Sequence, residues 1–148
     1  MTQKATPHLN LEQLEDEHAD LRSMLQNLRA AFGERKRSGE QLAALLEKSR
    51  KVLEEHFHHE EDGGFFRGIR EIAPQLAERV SALEHEHPQF LALIDRLRTR
   101  VGSHESEQVW REDCAKLFDE FLRSFLAHEA AEHELIQDAY ARDIGAKD

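Results

Sequence analysis

A single cysteine, Cys114, leaves this chain nothing from which to build a disulfide framework, and suits a reducing compartment. Proline and glycine are also scarce, at 3 and 7 of 148 residues, so there are few places where a helix is obliged to stop. No apolar run approaches the roughly 20 residues needed to span a bilayer. The stretch Met1 to Asn10 is polar and lacks the apolar segment of a secretion signal. Basic residues are outnumbered, 20 Lys and Arg against 30 Asp and Glu, and the net charge of −10 is spread along the chain. That balance argues against a nucleic-acid or anionic-membrane surface, because both attract basic patches. No composition break divides the sequence. The expectation is one cytoplasmic domain over residues 1–148, with a core of about 11–144, long enough to bury itself without staples.

What the chain does have is apolar residues at alternating steps of three and four, in four segments. The first reads Leu11, Leu14, His18, Leu21, Leu25, Leu28, Phe32, with Asn10 as N-cap and Gly33 as stop. The second opens at Ser38, with Gln41 completing a capping pattern, and runs Leu42, Leu45, Leu46, Ser49, Val52, Leu53, His56, Phe57, Glu60 to Gly63 and Gly64. A short apolar connector follows in Phe65, Phe66, Ile69 and Ile72, predicted to be a helical turn or two over one end. The third opens at Pro74 and carries Leu76, Val80, Leu83, His87, Phe90, Ile94, Leu97 and Val101. The fourth carries Trp110, Cys114, Leu117, Phe118, Phe121, Phe125, His128, Glu132, Leu135 and Ile136, fades after Tyr140, and gives way to a tail from Ile144-Gly145. This pattern predicts an all-α fold, an up-down-up-down four-helix bundle with a short helical connector between its second and third helices.

The informative residues are those that interrupt the stripes. His18, His56, Glu60, His87, His128 and Glu132 all stand where the period assigns core, and burying such groups costs several kcal/mol unless each finds a partner. One inward histidine alone would read as a hydrogen-bonded core residue. Here every long segment supplies one, and two segments add a glutamate four residues later, on the same helical face about 6 Å along the axis. His18 and His56 lie about 19 residues on either side of the loop centre near position 37, which puts them at one level. Four imidazoles and two carboxylates meeting in one buried layer predict a metal site. Two carboxylates from different helices suit a pair of ions bridged by them, each ion with about two imidazoles. That donor set favours iron or manganese, admits zinc, and disfavours soft metals.

His8, His58, His59, His85, His104 and His133 fall off the stripes and read as solvated residues. Between the near neighbours His85 and His87, the stripe through Leu83, Phe90 and Ile94 selects His87. His59, beside Glu60, is a weaker spare candidate. Cys114 is expected to be core packing rather than a redox group.

These residues carry a resemblance. Glu17-His18, His56-Phe57-His58-His59-Glu60-Glu61 followed by Gly63-Gly64-Phe65-Phe66, Glu86-His87, and His128-Glu129-Ala130-Ala131-Glu132 together resemble a hemerythrin-like, HHE cation-binding, protein over about Leu11 to Ile144. The resemblance implies two iron ions with an oxo or hydroxo bridge, and reactivity toward O2, peroxide or NO. The sequence also departs from the oxygen carriers of that family. They have a His-x-x-x-His pair on the third helix, where this chain flanks His87 with Leu83 and Leu91. Their last carboxylate is an Asp five residues after its histidine, and here it is Glu132, four after His128. Fewer protein ligands leave more positions open on the ions, which favours turnover over reversible O2 storage.

Three functions compete on this reading. One is a small di-iron oxidoreductase decomposing peroxide or reducing O2 or NO, with no catalytic residue beyond the six metal ligands. Another is an O2, NO or iron sensor or storage module without turnover. The last is a bundle whose inward polar groups merely satisfy one another, although partly satisfied buried networks are costly.

Overall fold

The computed structural model describes residues 11–34 and 36–147, with side chains described through residue 141. Every regular element among the described residues is helical: α1 (Leu11–Gly33), α2 (Gly39–Glu61), a short α3 (Phe65–Ile72), a 3-10 turn (Pro74–Leu76), α4 (Ala77–Arg100) and α5 (Glu107–Lys147).

Local chemistry explains most boundaries. Ser38 caps α2 as the sequence predicts: its hydroxyl accepts from the Gln41 N–H at 3.1 Å, and the Gln41 side chain accepts from the Ser38 N–H at 2.9 Å. The turn after α2 requires its two glycines. A Cβ on Gly63 would lie 2.4 Å from the His59 carbonyl oxygen, and Gly64 has φ 101°, in the left-handed region. The N-cap expected at Asn10 lies outside the described residues.

Three expectations need correction. The 3-10 turn takes up Pro74, so α4 proper begins at Ala77. Val52 is 38% exposed rather than in the core, because Ser49, Leu53, His56 and Phe57 already fill the buried face of α2. α5 runs on as helix to Lys147 instead of fading after Tyr140. Pro88 lies inside α4 on its solvent side, a position the apolar stripe leaves unmarked. Lacking an N–H, it leaves the Glu84 carbonyl without its helical donor.

The four long helices pack as a bundle, α1 against α2 and α5, and α4 against α2 and α5, while α3 lies against α2, α4 and α5. Two apolar clusters fill it. One, rich in leucine and phenylalanine, joins residues such as Leu25, Leu42, Phe90, Phe118, Phe121 and Phe125. The smaller one gathers Leu14, Phe66, Ile69, Val80, Leu83 and Leu135 beneath the short helix. Each fully buried side chain of this size contributes about 1.5–3 kcal/mol of transfer free energy. Along α1, α4 and α5 the histidine falls between the two clusters, His18 between Leu14 and Leu21, His87 between Leu83 and Phe90, His128 between Phe125 and Leu135, while on α2 His56 stands between Leu53 and Phe57 of the larger cluster and α3 carries the chain into the smaller one. A polar layer therefore sits sandwiched between two apolar ones. No helix of the described residues is long and apolar enough to cross a membrane.

Candidate metal centre

All six side chains singled out by the sequence are buried, none more than 5% exposed, and the fold brings them together. The i, i+4 spacing acts as expected: His56 Nε2 lies 3.1 Å from Glu60 Oε2, and His128 Nε2 lies 3.0 Å from Glu132 Oε2. Contacts across helices complete the layer. His18 Nε2 is 3.0 Å from Glu132 Oε1 and 3.7 Å from Glu60 Oε2, and His87 Nε2 is 3.1 Å from Glu60 Oε1. Two donor sets result, His18, His56, Glu60 and Glu132, and Glu60, His87, His128 and Glu132, each with its atoms within 4.8 Å of one another. Both glutamates belong to both sets. Each turns one oxygen toward one histidine group and its second oxygen toward the other.

The aromatic neighbours fix the rings and keep water away. Phe57 stacks on His87 with centroids 3.9 Å apart and planes 8° apart, and Phe90 meets His128 edge-on at 5.2 Å. Phe66 and Phe125 stack more loosely on His87 and His128.

Despite the short contacts, both oxygens of Glu60 and of Glu132, and Nε2 of His18, His87 and His128, are buried without a hydrogen-bond partner. The atoms converge on common points rather than aligning with one another. A metal–ligand bond of about 2.1 Å places neighbouring donors of an octahedral shell about 3.0 Å apart, which is the spacing seen here. The residues therefore fit divalent or trivalent cations of the iron, manganese or zinc class.

Electrostatics agrees. Burial alone would push the His18 imidazole down, yet the Glu132 and Glu60 carboxylates override it and raise it to about 10. Burial likewise opposes charge on His56 and His128, and the facing Glu60 and Glu132 carboxylates raise both. Burial would push Glu60 up, but contacts with His18, His56 and His87 hold it well below the usual carboxylate range. Without a cation, protons hold this layer together, and a metal would take their place.

The sequence stripes missed an outer set of carboxylates. His56 Nδ1 donates to Glu17 Oε1 at 2.8 Å, His87 Nδ1 to Glu61 Oε2 at 2.5 Å, and His128 Nδ1 to Glu86 Oε1 at 2.6 Å. A carboxylate only accepts, so each bond keeps the proton on Nδ1 and turns Nε2 toward the centre, the tautomer a metal needs. Burial opposes charge on Glu17, but its contacts with His56 and His59 lower it overall. Glu17, Glu61 and Glu86 lie one step off the stripes, where solvated residues are expected. Their signal is adjacency, since each directly neighbours one of the six. Glu129 was also missed. It is 3% exposed, and it stands four residues after Phe125 and three before Glu132, so the period could have flagged it.

The other histidines divide as follows. His85 is exposed and bonds the Ser81 carbonyl at 2.7 Å, so the fold brings His87, not His85, to the layer. His59 is exposed and reaches Glu17 Oε2 at 3.2 Å rather than the centre. His58 pairs with Asp62, His104 is exposed, and His8 lies outside the described residues. His133, partly buried, sits with its ring 5.7 Å from that of His18. Cys114 is fully buried in the larger cluster, and burial pushes its thiol up to about 11. A surface groove of about 320 Å³ between α4 and α5, bordered by Glu86, Phe90, Ser124 and His128, leads to the outer edge of the layer.

A family model described as the hemerythrin HHE cation binding domain matches residues 9–140. No curated protein and no solved structure matches the chain.

Proposed function

The chain belongs to the hemerythrin HHE cation-binding domain family, whose members bind metal cations, typically iron, and from that premise we propose that it is a di-iron redox protein reacting with O2, peroxide or NO. In this reading His18 and His56 hold one iron, His87 and His128 hold the other, and Glu60 and Glu132 bridge them. The observation that carries it is the sharing of both glutamates between the two donor sets, one oxygen to each. Manganese or zinc suits the same donors less selectively.

Bound irons would supply one-electron redox chemistry and Lewis acidity. The chain's own residues do the rest. Four imidazoles bind through Nε2. Glu17, Glu61 and Glu86 hold the Nδ1 protons of His56, His87 and His128 and fix those rings. Phe57, Phe66, Phe90 and Phe125 exclude water from the histidines they touch. With two imidazoles per set and shared carboxylates, the chain would offer each ion fewer protein donors than the oxygen carriers of the family do, which favours turnover over reversible storage. The groove beside Glu86 and His128 is a route of approach for a molecule the size of peroxide. Passage of α1, α4 and α5 from one apolar cluster to the other, with α2 and α3 together making the same crossing, supports an up-down-up-down arrangement in a single domain. A lone buried thiol suits the cytoplasm.

The test pairs metal analysis of untagged protein from iron-replete cells with absorption of the oxidised form. Two irons per chain and near-ultraviolet charge-transfer bands, which zinc cannot give, are expected; less than about 0.2 metal per chain would leave a structural bundle instead. A sensor or storage module is the second reading, favoured by the enclosure of the layer. Multiple rapid turnovers of peroxide by iron-loaded protein support the enzyme, and a single stoichiometric colour change supports the module.

A further inference from the structure

The outer carboxylates follow a rule of neighbours. Glu17 on α1 serves His56 on α2, Glu61 on α2 serves His87 on α4, and Glu86 on α4 serves His128 on α5. Each carboxylate stands on the helix packed beside its histidine's own helix, and next in sequence to one of the six central residues. One position in this circuit is open. His18 Nδ1, on α1, is buried and has no partner. The helix that would supply one is α5, which packs on α1, and there Glu129 directly follows His128.

Glu129 is placed for that task. It is 3% exposed, and its Oε2 is buried without a hydrogen-bond partner. Its Oε1 accepts from Arg22 Nη1 at 3.3 Å. Arg22 lies four residues after His18, one turn along the same face of α1, so the carboxylate is held against the strip of α1 that carries His18. A buried carboxylate gripped by only one half-exposed guanidinium is expensive unless its second oxygen has a purpose.

We propose that Glu129 is the fourth outer carboxylate, a positioning residue whose Oε2 accepts the Nδ1 proton of His18 when cations occupy the centre, closing a ring in which each helix orients the histidine of the next. The inference rests on the assignment of His18 as a ligand. The half-exposed Arg22 sets Glu129 apart from the other three, because it ties this carboxylate to the surface and holds it in place before metal arrives.

The experiment is a stepwise Co(II) titration of metal-free wild type, Glu129→Gln and Arg22→Gln, followed by 15N-histidine NMR of the Zn(II)-loaded proteins. Glu129→Gln is expected to weaken one of the two binding steps about tenfold and leave the other unchanged, since only the set containing His18 and His56 depends on it. Its His18 Nδ1 proton should move upfield and exchange faster, while those of His87 and His128 stay put. Arg22→Gln should shift the same step in the same direction by less, and it keeps the proposal testable if Glu129→Gln folds poorly. Wild type binding two Co(II) with both variants indistinguishable from it would overturn the ring alone, leaving Arg22 and Glu129 as a plain ion pair. Wild type binding none would overturn the ligand assignment and the ring with it.

Discussion

The phenylalanine-rich cluster and the polar layer beside it are built on the same four helices with the same three-four spacing, yet they are closed by different forces. In the cluster, contact alone suffices for the phenylalanines: Phe121 and Phe125 stack with planes 3° apart, Phe118 stacks on Phe121, and none of these rings needs a hydrogen-bond partner. In the layer, the imidazole and carboxylate atoms lie within van der Waals reach and still go unsatisfied. The cluster specifies the bundle. The layer costs part of that stability to keep six donors aimed at a shared centre, and cation binding offsets that cost.

The largest expected effect separates the residues of the layer from one another. Glu60 and Glu132 serve both donor sets, whereas each histidine serves one. Glu60→Ala or Glu132→Ala should therefore abolish binding of both ions, with metal per chain falling below about a tenth of wild type, while His56→Ala retains about half. Elemental analysis after gel filtration measures this. Equal losses in the glutamate and histidine variants would remove the bridging assignment.

The same comparison predicts the reverse behaviour one layer away. Phe121→Ala opens a cavity where the ring is fully buried, and should cost about 3–5 kcal/mol in urea unfolding. Metal bound per folded chain should not change. Loss of metal at full folding would mean that the two regions are coupled more tightly than their contacts indicate.

How much of this was legible in the sequence follows the same division. Leu21, Leu25, Phe118 and Phe121 announce a helical core because burial imposes a period. His18, His56, Glu60, His87, His128 and Glu132 stood out because they violated it. Glu17, Glu61 and Glu86 could not stand out in that way. They sit at the edge of the bundle, between 26% and 44% exposed, where the period predicts charge in any case. Their partners lie 39, 26 and 42 residues away, a pairing fixed by how helices pack and not by local spacing. The register of α5 beyond Tyr140 escaped for the opposite reason: helical propensity carries a backbone past the point where its apolar stripe has ended.

A smaller effect tests the outer carboxylates. Glu86→Gln keeps an acceptor for His128 but removes its charge, and Glu61→Gln does the same for His87. Each should weaken metal binding about 10- to 100-fold, confined to the ion held by His87 and His128. Glu17→Gln should act instead on the ion held by His56. Isothermal titration with Co(II), resolving two steps, distinguishes these patterns, and an even loss over both steps would show that the carboxylates act only through overall charge.

The last effect is a slope with pH, and below pH 9 it belongs to the layer, since the large cluster's only titratable side chain is Cys114. In the metal-free protein His18 keeps its proton to about 10, against 6.5 in the unfolded chain. Below pH 6.5 both states carry that proton and the stabilisation is complete. Above it the unfolded chain releases a proton that the folded one retains, so stability falls as pH rises. Glu60, held well below 4.5, contributes with the opposite sign and is lost only in acid. The Cys114 thiol, raised from 9.0 to about 11, adds its own decline above pH 9, so the window from 6.5 to 8.5 reports the layer's histidines, His56 and His128 being raised in the same direction as His18. Melting temperatures of metal-free protein should decrease across that window. Zn(II)-loaded protein should show a flat or rising trend, because the cation has already displaced the proton and binds more firmly as competing protons become scarce. Parallel slopes for the two forms would mean that the protons lie elsewhere on the surface and that the layer is closed by something other than their exchange for metal.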